Sequence, residues 1–163
     1  MDPVQLMGGE QEVFFRLAVA TVIGSVLGIN RDLRDKPAGL RTHALVALGA
    51  ALVTVTSQHV GYVDGILDGT VMARVIQGVM SGIGFLGGGV ILRDVQRNDV
   101  YGLTTAASIW LAAGLGIACG AGFWVGAVTA LIFTLAVLIG GGSIERVIYQ
   151  RFRGSAAPSR DRE

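Results

Sequence analysis

Charged side chains are scarce in this sequence, and their scarcity excludes several common classes of protein. Only 15% of the 163 residues are Asp, Glu, Lys or Arg, whereas a soluble domain typically contains about 25%. The 13 basic and 12 acidic residues leave a net charge of +1, so no excess of positive charge indicates nucleic-acid binding. We therefore expect neither a nucleic-acid binder, nor a disordered tail, nor a soluble enzyme.

Cysteine and proline are also rare, whereas glycine is abundant. The single cysteine, Cys119, excludes an intrachain disulfide and a cysteine metal site. There are 3 prolines and 25 glycines, and 52% of the residues are hydrophobic, with a mean hydropathy of +0.60. This combination is typical of helices that pack closely in lipid, where small residues let the backbones approach one another.

Long uncharged runs predict the fold class. No charged residue occurs between Val100 and Ile144, and one helix of that length would extend about 67 Å, roughly twice the thickness of a bilayer core. The run must therefore turn, most naturally at Gly120-Ala121-Gly122. Together with three earlier apolar runs it predicts an all-α membrane protein with five transmembrane helices, at residues 13–29, 44–60, 75–92, 103–119 and 123–144. Residues 1–12 are predicted to form an external segment, and residues 145–163 a basic cytoplasmic tail.

The placement of Lys and Arg predicts the orientation. All but two of the 13 basic residues fall in the loops after the first and third spans or in the C-terminal tail. The positive-inside rule then predicts an external N-terminus and a cytoplasmic C-terminus. Of the two exceptions, Arg16 lies near the start of the first span, where a long side chain can extend toward the headgroups.

Two segments of the chain resemble each other. Residues 29–48 and 91–111 each contain an Arg-Asp pair, a short loop and a Gly-Leu-x-Thr motif that opens the next span. We interpret this as a parallel internal repeat relating helices one and two to helices three and four. Coincidence, combined with the general bias of cytoplasmic loops toward arginine, is the alternative.

Polar residues gather at the predicted cytoplasmic ends of the spans and form the candidate site. Ionisable groups at membrane depth are functional candidates, although anchoring in the headgroups explains the arginines equally well. His43 lies one turn inside the second span, where it could bind a ligand, carry a proton or simply pack. The candidates are Asn30, Arg31, Asp32, Lys36, Arg41, Thr42, His43, Arg93, Asp94, Thr104 and Thr105. The side-chain oxygens among these residues, above all those of Asp32 and Asp94, are the type of ligand that Mg²⁺ prefers.

No other chemistry is indicated by the sequence. We find no pair of nucleophile and base and no cofactor motif, so we expect no enzyme and no cofactor beyond Mg²⁺ as a ligand or substrate. Glycines at helical spacing predict helix packing, and they are Gly24, Gly28, Gly82, Gly84, Gly87, Gly88 and Gly89. The alternative for the triple glycine 87–89 is a broken helix that exposes its carbonyls.

Three motifs resemble those of the MgtC/SapB membrane proteins. Residues 36–46 (KPAGLRTHALV), 81–91 (SGIGFLGGGVI) and 102–111 (GLTTAASIWL) match family signatures in order and spacing. The resemblance implies a bacterial inner-membrane protein with five helices, in a family associated with growth at low magnesium and with survival inside host cells. It also implies that some members regulate ATP synthase.

The sequence departs from the family pattern at two places. Asn30-Arg31-Asp32 stands where the family often has Glu-Arg-Glu, so any role that needs two carboxylates there is in doubt. Many members carry a C-terminal ACT-type domain, and we expect no regulation through such a domain here. Three functions remain open: a Mg²⁺ transporter or its accessory, a regulator that binds another membrane complex such as ATP synthase, and a site for an anion or lipid headgroup. The expected partners are the bilayer and either a second copy or another membrane protein.

Overall fold

Helices account for most of the structure. The computed structural model describes residues 9–63, 66–94 and 99–153. Within them, five helices are long and apolar enough to cross a membrane. They are α1 (Gly9–Asp32), α2 (Leu40–Gly61), α3 (Gly69–Gly89), α4 (Leu103–Gly120) and α5 (Trp124–Arg153). The predicted all-α membrane fold with five helices is confirmed, whereas the orientation and the internal repeat stay predictions.

The helices extend beyond the predicted spans at both ends of the chain. Helix α1 begins at Gly9, and α5 continues to Arg153, so residues 145–153 prolong the last helix. The reason is that hydropathy identifies only the apolar part of a helix, whereas backbone hydrogen bonding continues through polar turns. Residues 1–8 of the predicted external segment and residues 154–163 of the predicted tail lie outside the described residues.

Two short antiparallel hairpins connect the central helices. Strand β1 (Tyr62–Val63) pairs with β2 (Ile66–Leu67) between α2 and α3. Strand β3 (Leu92–Asp94) pairs with β4 (Asp99–Tyr101) between α3 and α4. The sequence analysis does not predict them, because two or three residues are too few to show an alternating pattern.

The core lies where α1, α2 and α4 meet. About half of the α2 span and 56% of the α4 span are buried, compared with 6% of α3 and 11% of α5. The buried side chains are mainly small ones, with a few larger residues such as Leu27 and Leu115 among them. Helices α3 and α5 therefore lie at the periphery and leave most of their apolar surface free for lipid or for another protein.

Glycines let α1 and α4 touch the backbone of α2 from two directions. A Cβ atom added at Gly24 would lie 2.5 Å from the carbonyl oxygen of His43. One added at Gly120 would lie 2.6 Å from the carbonyl oxygen of Ala51. The glycines with such contacts are Gly24 and Gly28 in α1 and Gly116 and Gly120 in α4. This close packing brings the polar residues of the three helices together.

The glycines of α3 have different surroundings. Gly87 packs against α4, because a Cβ atom there would lie 3.6 Å from the Cβ atom of Ala106. The positions with nothing within 4 Å are Gly82, Gly84, Gly88 and Gly89. Since α3 ends at Gly89, the triple glycine forms the end of the helix rather than a break within it. Of the α3 glycines predicted to pack against a helix, Gly87 therefore does so within this chain.

Candidate functional site

Polar side chains form two clusters near the two ends of α1, each built around an arginine. At the rise of an α-helix, Arg16 and Arg31 lie about 22 Å apart along the axis. The Arg16 cluster consists of Glu12, Arg16, Gln58 and the Gly120 carbonyl group. The Arg31 cluster consists of Arg31, His43, Thr105 and Ser108. Both clusters join α1, α2 and α4, so both ends of the core have a polar link.

Arg31 is a buried cation. The residue is only 3% exposed. Its Nη2 donates a hydrogen bond to Thr105 Oγ1 over 2.9 Å. Its Nε has no hydrogen-bond partner among the described residues. Within the same residues, no carboxylate lies within ion-pair distance of the guanidinium. The charge is therefore removed from water with one hydrogen bond to a neutral hydroxyl group.

His43 joins α2 to α4 beside this arginine. Its Nδ1 lies 2.9 Å from the carbonyl oxygen of Gly39, and its Nε2 lies 3.0 Å from Ser108 Oγ. Because a carbonyl oxygen only accepts, Nδ1 carries a proton. Ser108 Oγ also lies 2.8 Å from the carbonyl oxygen of Thr105. When the imidazole is neutral, the single hydroxyl proton of Ser108 can therefore be donated either to His43 Nε2 or to this carbonyl oxygen.

The pairing of Ser108 and His43 was not expected, because the sequence analysis finds no nucleophile close to a base. A serine hydroxyl within hydrogen-bond distance of a histidine is the first requirement of a nucleophile. Both side chains are buried, and the cavity of about 270 Å³ between α4 and α5 that Ser108 helps to line is otherwise bordered mainly by apolar side chains. We interpret the pair as a hydrogen bond that fixes α2 against α4.

Asp32 has a structural task at the start of α2. Its Oδ2 accepts a hydrogen bond from the backbone N–H of Leu40 over 2.9 Å, which satisfies one of the free donors of the first helical turn. A Cβ atom at Gly39 would overlap the Asp32 carboxylate, so the glycine permits this contact.

Among the described residues no group of three or more His, Cys, Asp and Glu could hold a metal ion. The side chain of Asp94 lies outside the described residues, and a metal site there stays a prediction.

The other candidate residues lie around the Arg31 cluster without joining it. Lys36, Arg41 and Thr104 are exposed, whereas Asn30 and Thr42 are partly buried. The Oδ1 atom of Asn30 has no hydrogen-bond partner in the described part of the chain. The backbone of Arg93 forms part of β3, whereas its side chain is not among those that the structure describes. The structure thus brings together Arg31, His43 and Thr105, and adds Ser108.

Arg16 binds groups of three helices. Its Nε donates to Glu12 Oε1 over 2.8 Å, and its Nη1 donates to Gln58 Oε1 and to the Gly120 carbonyl oxygen, each over 2.9 Å. The partners Gln58 and Gly120 lie in the last turns of α2 and α4, and the expectation that Arg16 extends toward the headgroups stays a prediction. The spacing of Glu12 and Arg16 by four residues is the one sequence signal that could have indicated an ion pair.

Comparison with known proteins identifies the family. The model of the MgtC family matches residues 17–147. Protein SrpB of Synechococcus elongatus is 38% identical over 143 residues, which are 84% of this chain and 79% of SrpB. Protein SapB of Bacillus subtilis is 42% identical over 129 residues, which are 77% of this chain and 55% of SapB. "Putative magnesium transporter YhiD" of Escherichia coli K12 is 38% identical over 130 residues, which are 78% of this chain and 59% of YhiD.

These matches cover most of this chain but only part of some relatives. The chain spans a little more than half the length of SapB and of YhiD. No solved structure matches it. The resemblance carried by the three motifs is confirmed by a match that extends over all five membrane-length helices. The chain is therefore a multi-pass membrane protein that belongs to the MgtC family.

Proposed function

We propose that this protein acts in magnesium homeostasis in the bacterial inner membrane, as a regulatory or accessory protein that does not itself conduct the ion. Its membership of the MgtC family and its similarity to the "Putative magnesium transporter YhiD" support the link to magnesium. The family match includes the residues of the Arg31 cluster, since it runs from residue 17 to residue 147.

The observation that carries the proposal is the position of Arg31. A divalent cation that entered the bundle at this end would meet a guanidinium that is only 3% exposed, between α1 and α4. At an effective dielectric constant of 20, two unit charges 4 Å apart repel each other by about 4 kcal/mol. Arginines at narrow points of membrane pores act as barriers to cations in this way.

The packing of the other helices supports the same function. A groove of about 440 Å³ between α2, α3 and α4 is lined by apolar side chains, among them Leu45, Val53, Val79 and Ile83. A hydrated Mg²⁺ requires oxygen ligands, which these side chains do not supply. Apolar grooves of this kind suit a lipid chain or a helix of another membrane protein, as a regulator would require.

A flux measurement tests whether the protein conducts Mg²⁺. The purified protein is reconstituted in liposomes that contain a fluorescent Mg²⁺ indicator, and an ionophore shows that the vesicles respond. We expect the wild-type protein to admit Mg²⁺ no faster than protein-free vesicles. A saturable flux through the wild-type protein would overturn the proposal and favour the transporter.

A growth measurement tests the link to magnesium. Deletion of the gene in its native host should slow growth at micromolar Mg²⁺ and leave growth at millimolar Mg²⁺ unchanged. Wild type supplied in trans should restore growth at low Mg²⁺. A deletion strain that grows like the parent at every Mg²⁺ concentration would contradict a role in magnesium homeostasis.

A further inference from the structure

Helix α4 begins differently from the two helices before it. At the start of α2, a carboxylate oxygen of Asp32 accepts the N–H of Leu40 over 2.9 Å. At the start of α3, a carboxylate oxygen of Asp68 accepts the N–H of Thr70 over 2.8 Å. Helix α4 follows Gly102, has no side-chain capping hydrogen bond and has no acidic residue in its first turn. Among the described side chains, no carboxylate therefore binds the positive end of α4 as one does at the other two; the side chains of Asp94 and Asp99, in the hairpin before α4, lie outside the described residues.

A buried cation is directed at this same helix end. The guanidinium of Arg31 binds Thr105 in the first turn of α4, is 3% exposed and keeps an Nε with no partner among the described residues. Arg31 lies in the last turn of α1, where a cation is favourable for that helix, but its guanidinium reaches across to α4. Two positive groups thus face each other, and Arg34 adds to the positive potential at Arg31.

The backbone before α4 also forms an anion-binding shape. Gly102 has φ +89° and ψ −4°, in the left-handed region, and Leu103 begins a right-handed helix. A left-handed residue followed by a right-handed one directs successive N–H groups into one concavity, which suits an anion. Leu103 and Thr104 are exposed, so the first two residues of α4 lie at the surface of the bundle.

We propose that Arg31 and the first turn of α4 form a binding site for a phosphate group. A tetrahedral phosphate offers several acceptor oxygens, which can take the free N–H groups of the helix end and the free Nε–H of Arg31. Its negative charge neutralises both positive groups at once. The phosphate belongs either to free inorganic phosphate or to the headgroup of an anionic lipid. This site stands independently of the proposed role in magnesium homeostasis.

Binding is measured on the full-length protein in two ways. The first is a ³¹P NMR titration of inorganic phosphate with protein in a maltoside detergent, which contains no phosphorus. The second is native mass spectrometry of protein extracted from its membrane, which detects retained phosphatidylglycerol. Saturable broadening of the phosphate signal identifies free phosphate as the ligand. Retained phosphatidylglycerol, with no effect on inorganic phosphate, identifies a lipid headgroup.

Two matched variants locate the site. Arg31→Gln removes the buried cation and should weaken binding roughly tenfold or more, as expected for the loss of a charge-assisted contact. Arg41→Gln removes an exposed cation at the same end of the bundle and should change binding by less than about twofold. Equal losses in both variants would assign binding to general surface charge and overturn the site.

The wild-type protein provides a test in which a variant serves only to assign a signal. In protein labelled with ¹⁵N at arginine Nε, the Nε–H signal that disappears in Arg31→Lys belongs to Arg31. We expect this signal to move when inorganic phosphate or phosphatidylglycerol is added and to stay in place with chloride at equal ionic strength. An unmoved Arg31 signal, or a wild-type protein that binds neither ligand, would overturn the proposal.

Discussion

Arg16 and Arg31 lie on the same helix and both reach α4, but they reach opposite ends of it. Arg16 donates to the carbonyl oxygen of Gly120, the last residue of α4, and also binds Glu12. Arg31 donates to Thr105 in the first turn of α4 and has no acidic partner among the described residues. Since a helix is negative at its C-terminus and positive at its N-terminus, Arg16 is in a favourable position and Arg31 is in an unfavourable one.

This difference in partners indicates that the two arginines have different roles. A partly exposed arginine with a carboxylate, an amide and a carbonyl oxygen as partners stabilises the bundle. A buried arginine without a counter-charge reduces stability unless something else compensates it. Ionisable residues that are costly in a membrane protein are by default candidates for function. The difference indicates a structural task for Arg16 and supports the proposed binding task of Arg31.

The largest effect is expected from His43, which holds the Arg31 end together without using the arginine. His43→Ala leaves a cavity at a fully buried position and removes the hydrogen bond to Ser108, so it should lower the free energy of unfolding by about 3 kcal/mol. Unfolding in mixed detergent and denaturant measures the change. His59→Ala, at an exposed position of the same helix, is the control and should cost less than about 0.5 kcal/mol. Equal effects would show that the Arg31 end depends on other contacts.

A smaller loss is expected at the other end of α1. Arg16→Met removes two hydrogen bonds to other helices and one ion pair within α1. Because such interhelical bonds contribute roughly 0.6 to 1.7 kcal/mol each in membrane proteins, the free energy of unfolding should fall by about 2 kcal/mol. Glu12→Gln keeps the bonds to Gln58 and Gly120 and should cost clearly less. If the two variants are equally unstable, the ion pair rather than the link to α4 is what matters.

Arg31→Met should destabilise the protein less than Arg16→Met does. In detergent without phosphate or anionic lipid, the bond from Arg31 to Thr105 is offset by the cost of burying an unpaired charge. The same unfolding assay should show a change below about 1 kcal/mol. A loss as large as that of Arg16→Met would mean that Arg31 has a compensating partner within the protein, and the contrast between the two arginines would disappear.

The sequence predicts the number and type of the helices well but the contacts poorly. Runs such as Val100–Ile144 determine helical spans through hydropathy alone, since a membrane requires every backbone group to be hydrogen-bonded internally. Contacts depend on how each helix is rotated and on where it crosses its neighbours. Gly24 and Gly82 occur in similar glycine patterns, yet one touches α2 and the other faces open space.

The candidate site was predictable only as a region. The sequence places Arg31, His43 and Thr105 at the same end of the bundle, because they lie near the ends of consecutive spans. It does not indicate that His43 meets Ser108, which is 65 residues away. Nor does it indicate that Arg16 reaches Gly120, which is 104 residues away, because no local pattern encodes pairs so distant in the chain.

The smallest effect is expected at the start of α3, where a carboxylate binds the helix end, as no described side chain does at α4. Hydrogen bonds from the backbone N–H and then the hydroxyl of Thr70 lower the pKa of Asp68. A lowered pKa in the folded state means that the ionised carboxylate stabilises the fold above the unfolded pKa. That contribution is lost as the pH falls through the folded value.

Asp68→Asn isolates this charge, because asparagine caps a helix about as well as aspartate. The thermal midpoint of the variant in detergent should lie slightly below that of wild type at pH 7, and the two should converge below about pH 3. The shift is small because Asp68 is exposed to solvent, where charge interactions are screened. A difference that persists unchanged at low pH would show that the carboxylate charge does not matter at this helix end. That no described carboxylate binds the start of α4 would then lose its weight as an argument for an anion site.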